Sequence, residues 1–214
     1  MLRWRKERLM AETMILDRPL PVGSAGKRAS GWWGLMALIV TEASLFGYLL
    51  FAYFYLNAQS GAGAAWPPDG LPDLRMPTIN TVLLLSSSVM VWLGERRLRQ
   101  DRPGAAQAWL VAAVITGALF VLIQFGEWHK KPYSLSSHVY GSLYFTITGF
   151  HLAHVVVGLG VLVLLTVWTR LGYLDHRRHA ALTIGGLYWH FVDAVWLFVF
   201  SALYLSPFIF GSQR

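Results

Sequence analysis

Five stretches of this chain are apolar for longer than a soluble helix face allows: Trp32 to Leu56, Thr78 to Leu93, Ala106 to Trp128, Val139 to Trp168 and Leu182 to Phe208. A hydrocarbon layer of roughly 30 Å takes about 20 residues of helix to cross. Inside it, every backbone N–H and C=O must be satisfied within the protein. The pattern therefore predicts an all-α, polytopic membrane bundle of five transmembrane helices. The second stretch is the weakest, because Asn80, Thr81 and the run Ser86, Ser87, Ser88 dilute it. The longest connection, "NAQSGAGAAWPPDGLPDLRMP", is rich in Gly, Pro and Ala and cannot bury a core of its own. The expected division is a basic tail over 1–31, a five-helix domain over 32–208 and a short tail over 209–214, with no soluble domain attached.

Lysine and arginine orient the bundle, since basic residues are retained on the cytoplasmic side. Seven lie in the N-terminal tail, four in the second loop (Arg96, Arg97, Arg99, Arg102) and three in the fourth (Arg170, Arg177, Arg178). Those fourteen share one side, and Arg75, Lys130, Lys131 and Arg214 are left for the other. The N-terminus is thus expected inside and the C-terminus outside, in a multi-pass protein of the cell's inner (plasma) membrane. The same count explains the net charge of +7 as a topological bias, so nucleic acid is not expected as a partner.

Composition agrees: 55% of residues are hydrophobic and 14% charged, against roughly 25% charged in soluble domains. With no cysteine, the chain has no disulfide, thiolate metal site or c-type haem attachment. The tail lacks a signal-peptide pattern. Its first residues, Met1 to Ile15, read either as a solvated basic arm or as a short helix lying on the inner surface.

Ionisable residues inside the spans carry the candidate chemistry, because polar groups in hydrocarbon are costly and face protein, water or a partner. Glu42 lies near the middle of the first span, His151 and His154 fall in the inner half, and His190 and Asp193 fall at a depth comparable to theirs, which predicts one polar belt. Three readings stand open for it. The His151 and His154 pair, three residues apart, could face His190 and ligate a b-type haem, as in a di-haem membrane cytochrome. Glu42, His190 and Asp193 could carry protons or ions in a small transporter. Or the belt is structural, bonding helices whose small residues Gly149, Ala153, Gly158 and Gly160 allow close approach. Tryptophans such as Trp66, Trp128, Trp168 and Trp189 read as interfacial or packing residues.

The segments "WGLMALIVTEASLFGYLLFAYFY", "PTINTVLLLSSS", "QFGEW", "HVYGSLYFTITGFHLAHVVVG" and "YWHFVDAVWLFVFSALY" resemble, in order, the signature segments of subunit III of the haem-copper oxidases. The chain is similar to the short, five-helix form of that family, which lacks the first two of seven helices. The resemblance implies a non-catalytic subunit of a proton-pumping terminal respiratory oxidase, packed against subunit I and subunit II. Those partners would hold the haems and copper, and this chain would bind no metal and no cofactor.

On that reading Glu42, Glu127, His151, His154, His190 and Asp193 are the family's intramembrane polar motif residues, serving helix packing and hydrogen bonding. Glu42 would match the acid associated with the proton-entry side of the large subunit. Arg177, Arg178 and His179 would match the place where members hold phospholipid headgroups. The chain departs from the family at Thr183, where many members have glutamate, at Leu152 for a common glycine, and at His138, where aspartate is frequent. The external loop favours cytochrome c as electron donor. A quinol oxidase and a nitric oxide reductase-associated homologue are the alternatives.

Overall fold

A computed structural model of the chain describes residues 30–60, 65–175 and 179–210. The described residues are helical without strands: α1 Ser30–Gln59, α2 Arg75–Arg99, α3 Pro103–Lys130, α4 Val139–Arg170 and α5 Ala180–Phe200, the last running through a π-helical turn, Ser201–Leu205, into α6 Ser206–Phe210. Five of these spans are long and apolar enough to cross a membrane, so this is a multi-pass membrane protein. Each helix extends past its expected apolar run or meets it. The largest extension is α2, which continues to Arg99 because Glu95 and Arg99 pair one turn apart at 2.6 Å. Arg96, Arg97 and Arg99 also stand in its last turn, where the helix dipole favours cations.

Two units are distinguished, 1–38 and 39–214. The described part of the first is the start of α1, where Trp32 and Trp33 meet edge to face. The expected arm over Met1 to Ile15 lies outside the described residues.

In the second unit, α2 and α3 form a hairpin. Asp101 closes it at φ 58°, a left-handed conformation that Asp tolerates, and Pro103 opens α3 at a position where its missing N–H costs nothing. At this end Leu98, Ala106, Leu110, Leu165, Leu174 and Leu182 form one buried cluster. Gly172, at φ 75°, ends α4, and the Tyr173 N–H returns to the Trp168 carbonyl at 3.0 Å.

The polar residues that weaken the second span turn out to be where other helices attach. Trp189 Nε1 donates to Ser87 Oγ and Trp196 Nε1 to Thr81 Oγ1, each at 2.9 Å. Asn80 Nδ2 donates to Gln124 Oε1 at 3.2 Å. The two tryptophans are seven residues, or about two turns, apart on α5. Their partners run the opposite way along α2, so the two helices are antiparallel.

Of the small residues that the sequence pattern indicates, Gly158 lies at a close helix contact, and Gly117 and Gly185 join it from outside that pattern. A Cβ on Gly158 would sit 2.9 Å from the Trp189 ring and one on Gly117 3.0 Å from it, while one on Gly185 would sit 2.5 Å from Leu165. Gly149 would be in ordinary contact at 3.9 Å and Gly160 would meet nothing within 4 Å. Ala153 is exposed.

Candidate functional site

The expected single belt resolves into separate groups on different helix pairs. On α1 and α4, His154 Nε2 lies 2.8 Å from Glu42 Oε2, and its Nδ1 lies 2.7 Å from the Phe150 carbonyl one turn back. A carbonyl only accepts, so Nδ1 carries a hydrogen. The contact to Glu42 then contains one proton, held either by the imidazole or by the carboxyl. In both cases the pair is neutral as a whole, which lowers the cost of placing it among apolar side chains. Phe46 sets its ring edge against His154 at 5.3 Å and His151 at 6.4 Å.

His151, although on the same face, has different surroundings. It is buried against Trp196 at 4.9 Å and Phe120 at 5.9 Å, and neither ring nitrogen has a hydrogen-bond partner among the described residues. It packs, and the hydrogen-bonding half of its expected role is carried by His154 alone.

Between α2 and α5, His190 Nδ1 and Ser88 Oγ form a short hydrogen bond. Asp193, one turn further along α5, is buried, and neither of its carboxyl oxygens has a hydrogen-bond partner among the described residues, so the hydrogen-bonding role expected of it is not seen there. Two turns towards the α4–α5 loop, Thr183 Oγ1 donates to Glu95 Oε1 at 2.6 Å, the same oxygen that Arg99 engages. Thr183 stands where the resemblance leads one to expect glutamate, and α2 brings a carboxylate to it from across the interface. His190 thus faces Ser88, and His154 faces Glu42: the histidines do not converge. Among the described residues no three His, Asp or Glu side chains gather as a metal set.

Glu127 belongs to another group, at the opposite end of α3. Its Oε1 accepts from Tyr204 OH at 2.8 Å and Tyr144 OH at 3.1 Å and pairs with Lys131 Nζ at 3.0 Å. The two hydroxyls lie 2.9 Å apart, and the lysine ammonium stands over both tyrosine rings, at 4.9 and 5.5 Å. The π-helical turn carries Tyr204 into this group, in keeping with the tendency of such turns to mark special sites. Tyr133 borders it, 5.7 Å from Tyr144, and burial pushes its hydroxyl well above the ordinary tyrosine range.

His138 stands where the resemblance leads one to expect aspartate. It is the N-cap of α4, with Nδ1 accepting the Gly141 N–H at 2.9 Å, as an aspartate cap would. Nδ1 therefore has no hydrogen, and Nε2 donates to Asp69 Oδ2 at 2.9 Å.

Of the proposed headgroup residues, His179 precedes α5 and its carbonyl accepts the Thr183 N–H. Arg177 and Arg178 lie outside the described residues. Sequence reasoning did not single out Lys131, Tyr144, Tyr204, Ser88 or Glu95 as partners. Only Lys131 carried a local signal, four residues after Glu127.

The sequence profile of the family described as "Cytochrome c oxidase subunit III" matches residues 3–208. Among similar proteins, a cytochrome c oxidase subunit 3 of Thermostichus vulcanus is 33% identical over 175 residues, covering 80% of this chain and 85% of that protein. One of Arabidopsis thaliana is 33% identical over 177 residues, 80% of this chain and 67% of that protein. One of Lumbricus terrestris is 34% identical over 186 residues, 84% of this chain and 70% of that protein.

Proposed function

Because the chain belongs to the cytochrome c oxidase subunit III family, we propose that it works as the subunit III of a haem-copper oxidase whose electron donor is cytochrome c, seated beside subunits I and II in the plasma membrane. The observation that carries this reading is the family match across 3–208, which takes in nearly the whole of the five membrane helices found among the described residues. The cytochrome c oxidase names of the relatives favour that donor over quinol.

In this role the chain is a scaffold with no redox centre of its own. What supports that is the engagement of two intramembrane histidines by protein groups, His154 by Glu42 and the Phe150 carbonyl and His190 by Ser88, with His151 packed against Trp196 and Phe120. The Glu42–His154 contact holds a proton between α1 and α4, and it braces the environment of the catalytic subunit's proton entry without being the conducting path. Arg177, Arg178 and His179 hold anionic phospholipid headgroups at the inner rim, each basic residue contributing about 1 kcal/mol. The distribution of basic residues supports an inside N-terminus. Reporter fusions at Gln100 and Asp175 should then read inside, and those at Ala62 and Arg214 outside.

Removing the subunit from the oxidase tests the assignment. Haem and copper content should remain, measured by reduced-minus-oxidised spectra and metal analysis, while activity decays progressively during turnover. Stoichiometric b-type haem bands from the purified chain would defeat the scaffold reading in favour of a di-haem cytochrome.

A further inference from the structure

At the end of the bundle where α3 leads into α4, a cleft of about 510 Å³ opens between the α1–α2 loop and the last turns of α3. Pro67, Pro72 and Pro77 stiffen one side, and Tyr133 and Tyr140 form the other. Asp69, Asp73, Glu127, Lys130 and Lys131 also line it. Much of that charge is used internally. Lys131 pairs with Glu127, Asp69 Oδ2 accepts from His138, and Asp73 Oδ1 accepts the Arg75 N–H at 2.9 Å. The second oxygens of Asp69 and Asp73 and the Lys130 ammonium remain, without a hydrogen bond among the described residues. Glu127 Oε2 is buried and also has no partner among them.

The cleft offers both signs, carboxylate oxygens on the loop and, among the described residues, an uncommitted cation on α3, an arrangement that a zwitterion can meet at both ends. Its position adds the second constraint. It lies where two membrane spans, Arg75–Arg99 and Pro103–Lys130, reach their ends, hence at headgroup level. One turn below its lining residues Met76, Ile123 and Gly126, the same helix faces present Ile79, Leu119 and Leu122 as exposed apolar side chains. A ligand seated here would have a polar head in the cleft and hydrocarbon along α2 and α3.

We infer that this cleft binds the phosphoethanolamine headgroup of an aminophospholipid from the adjoining leaflet. The phosphate meets Lys130, and the primary ammonium donates to Asp69 and Asp73. Charge-assisted hydrogen bonds of this kind are about twice as strong as neutral ones. A trimethylated ammonium cannot form them. The site is separate from the inner-rim contacts and does not depend on the oxidase assignment.

The test compares the full chain, purified with the subunits that accompany it, against Gly126→Leu and Lys130→Ala, by native mass spectrometry in micelles containing phosphatidylethanolamine or phosphatidylcholine. Gly126 lines the cleft, and a Cβ there meets nothing within 4 Å. Leucine therefore fills the space without disturbing the Glu127 group. One phosphatidylethanolamine per chain should be retained by the wild type and lost from Gly126→Leu, with retention about tenfold weaker in Lys130→Ala, the scale of one charged hydrogen bond. Equal retention by Gly126→Leu, or equal retention of phosphatidylcholine, overturns the proposal. So does displacement by free phosphoethanolamine at the lipid's own concentration, which would make the ligand a soluble one.

Discussion

Glu42 and Glu127 are both glutamates inside apolar helices, and the regions around them differ. Glu127 is 8% exposed and enclosed by groups from α3, α4 and the π-helical turn: two hydroxyls and an ammonium converge on one of its oxygens. Glu42 is 23% exposed and has His154 as its hydrogen-bond partner. The rest of α1 follows suit. Below Phe46 its next buried side chain is Tyr53, against Trp66 and Tyr140, while Val40, Tyr48, Phe51 and Tyr55 face outward. In the α2–α5 bundle, by contrast, tryptophans bond to hydroxyls across the interface and glycines admit rings at contact distance. Without a hydrophobic drive between helices in lipid, association rests on such packing and bonding. The bundle has both in quantity, and the described part of α1 has the Glu42–His154 contact and a few aromatic contacts.

The largest effect should come from Glu127. Glu127→Ala leaves Lys131 and two tyrosine hydroxyls facing a void, and breaking a buried pair from one side costs about 3–5 kcal/mol. Thermal unfolding in detergent should show this as a marked loss of stability. The double variant Glu127→Leu with Lys131→Met should recover much of it, since no charge is left unpaired. If Glu127→Ala is as mild as a change at Glu42, the contrast between the two regions fails.

Gly158→Ala comes next. Its new methyl would press on the Trp189 ring at 2.9 Å, and overpacking of this kind costs about 1–3 kcal/mol. Two residues along α4, Gly160→Ala meets open space and should be neutral or slightly stabilising, because alanine favours helix. Equal effects at both positions, measured in the same unfolding assay, would mean that α5 is not seated as closely as its tryptophans imply.

The helices were readable in the sequence because an apolar run of membrane length is hard to place anywhere but across a bilayer, and the polar side chains within them were readable as exceptions. Their partners were not. Ser87, Thr81 and Asn80 look in sequence like a weakness of the second span, since nothing local says that Trp189, Trp196 and Gln124 will arrive from other helices. His151 and His154 share a helical face, yet a three-residue step moves one from an aromatic pocket to a carboxylate. Spacing fixes the face, and the opposing helix decides the chemistry. The Tyr144–Tyr204–Glu127 group was hidden for the same reason, its members standing on three elements.

At Glu42 a smaller change is expected. Glu42→Gln keeps a hydrogen bond to a neutral His154, so its cost should be about 1 kcal/mol. In the assembled oxidase it should cause at most a partial loss of turnover. A double-mutant cycle with His154→Gln measures the coupling directly. Complete loss of oxygen reduction with assembly intact would show that Glu42 does more than brace α1 against α4.

The smallest effect concerns Tyr133, at the edge of the Glu127 group. Burial holds its hydroxyl protonated beyond the ordinary tyrosine range of about pH 10. The folded state therefore keeps a proton that the unfolded state has released. Stability from this residue is present below about pH 10 and is lost as pH rises above it. Ultraviolet titration of the wild type and Tyr133→Phe should coincide through pH 10 and separate only at higher pH. A tyrosinate band at pH 10 that disappears in Tyr133→Phe would mean that water reaches this end of the bundle, and the distinction drawn between an enclosed Glu127 and a more open Glu42 would narrow accordingly.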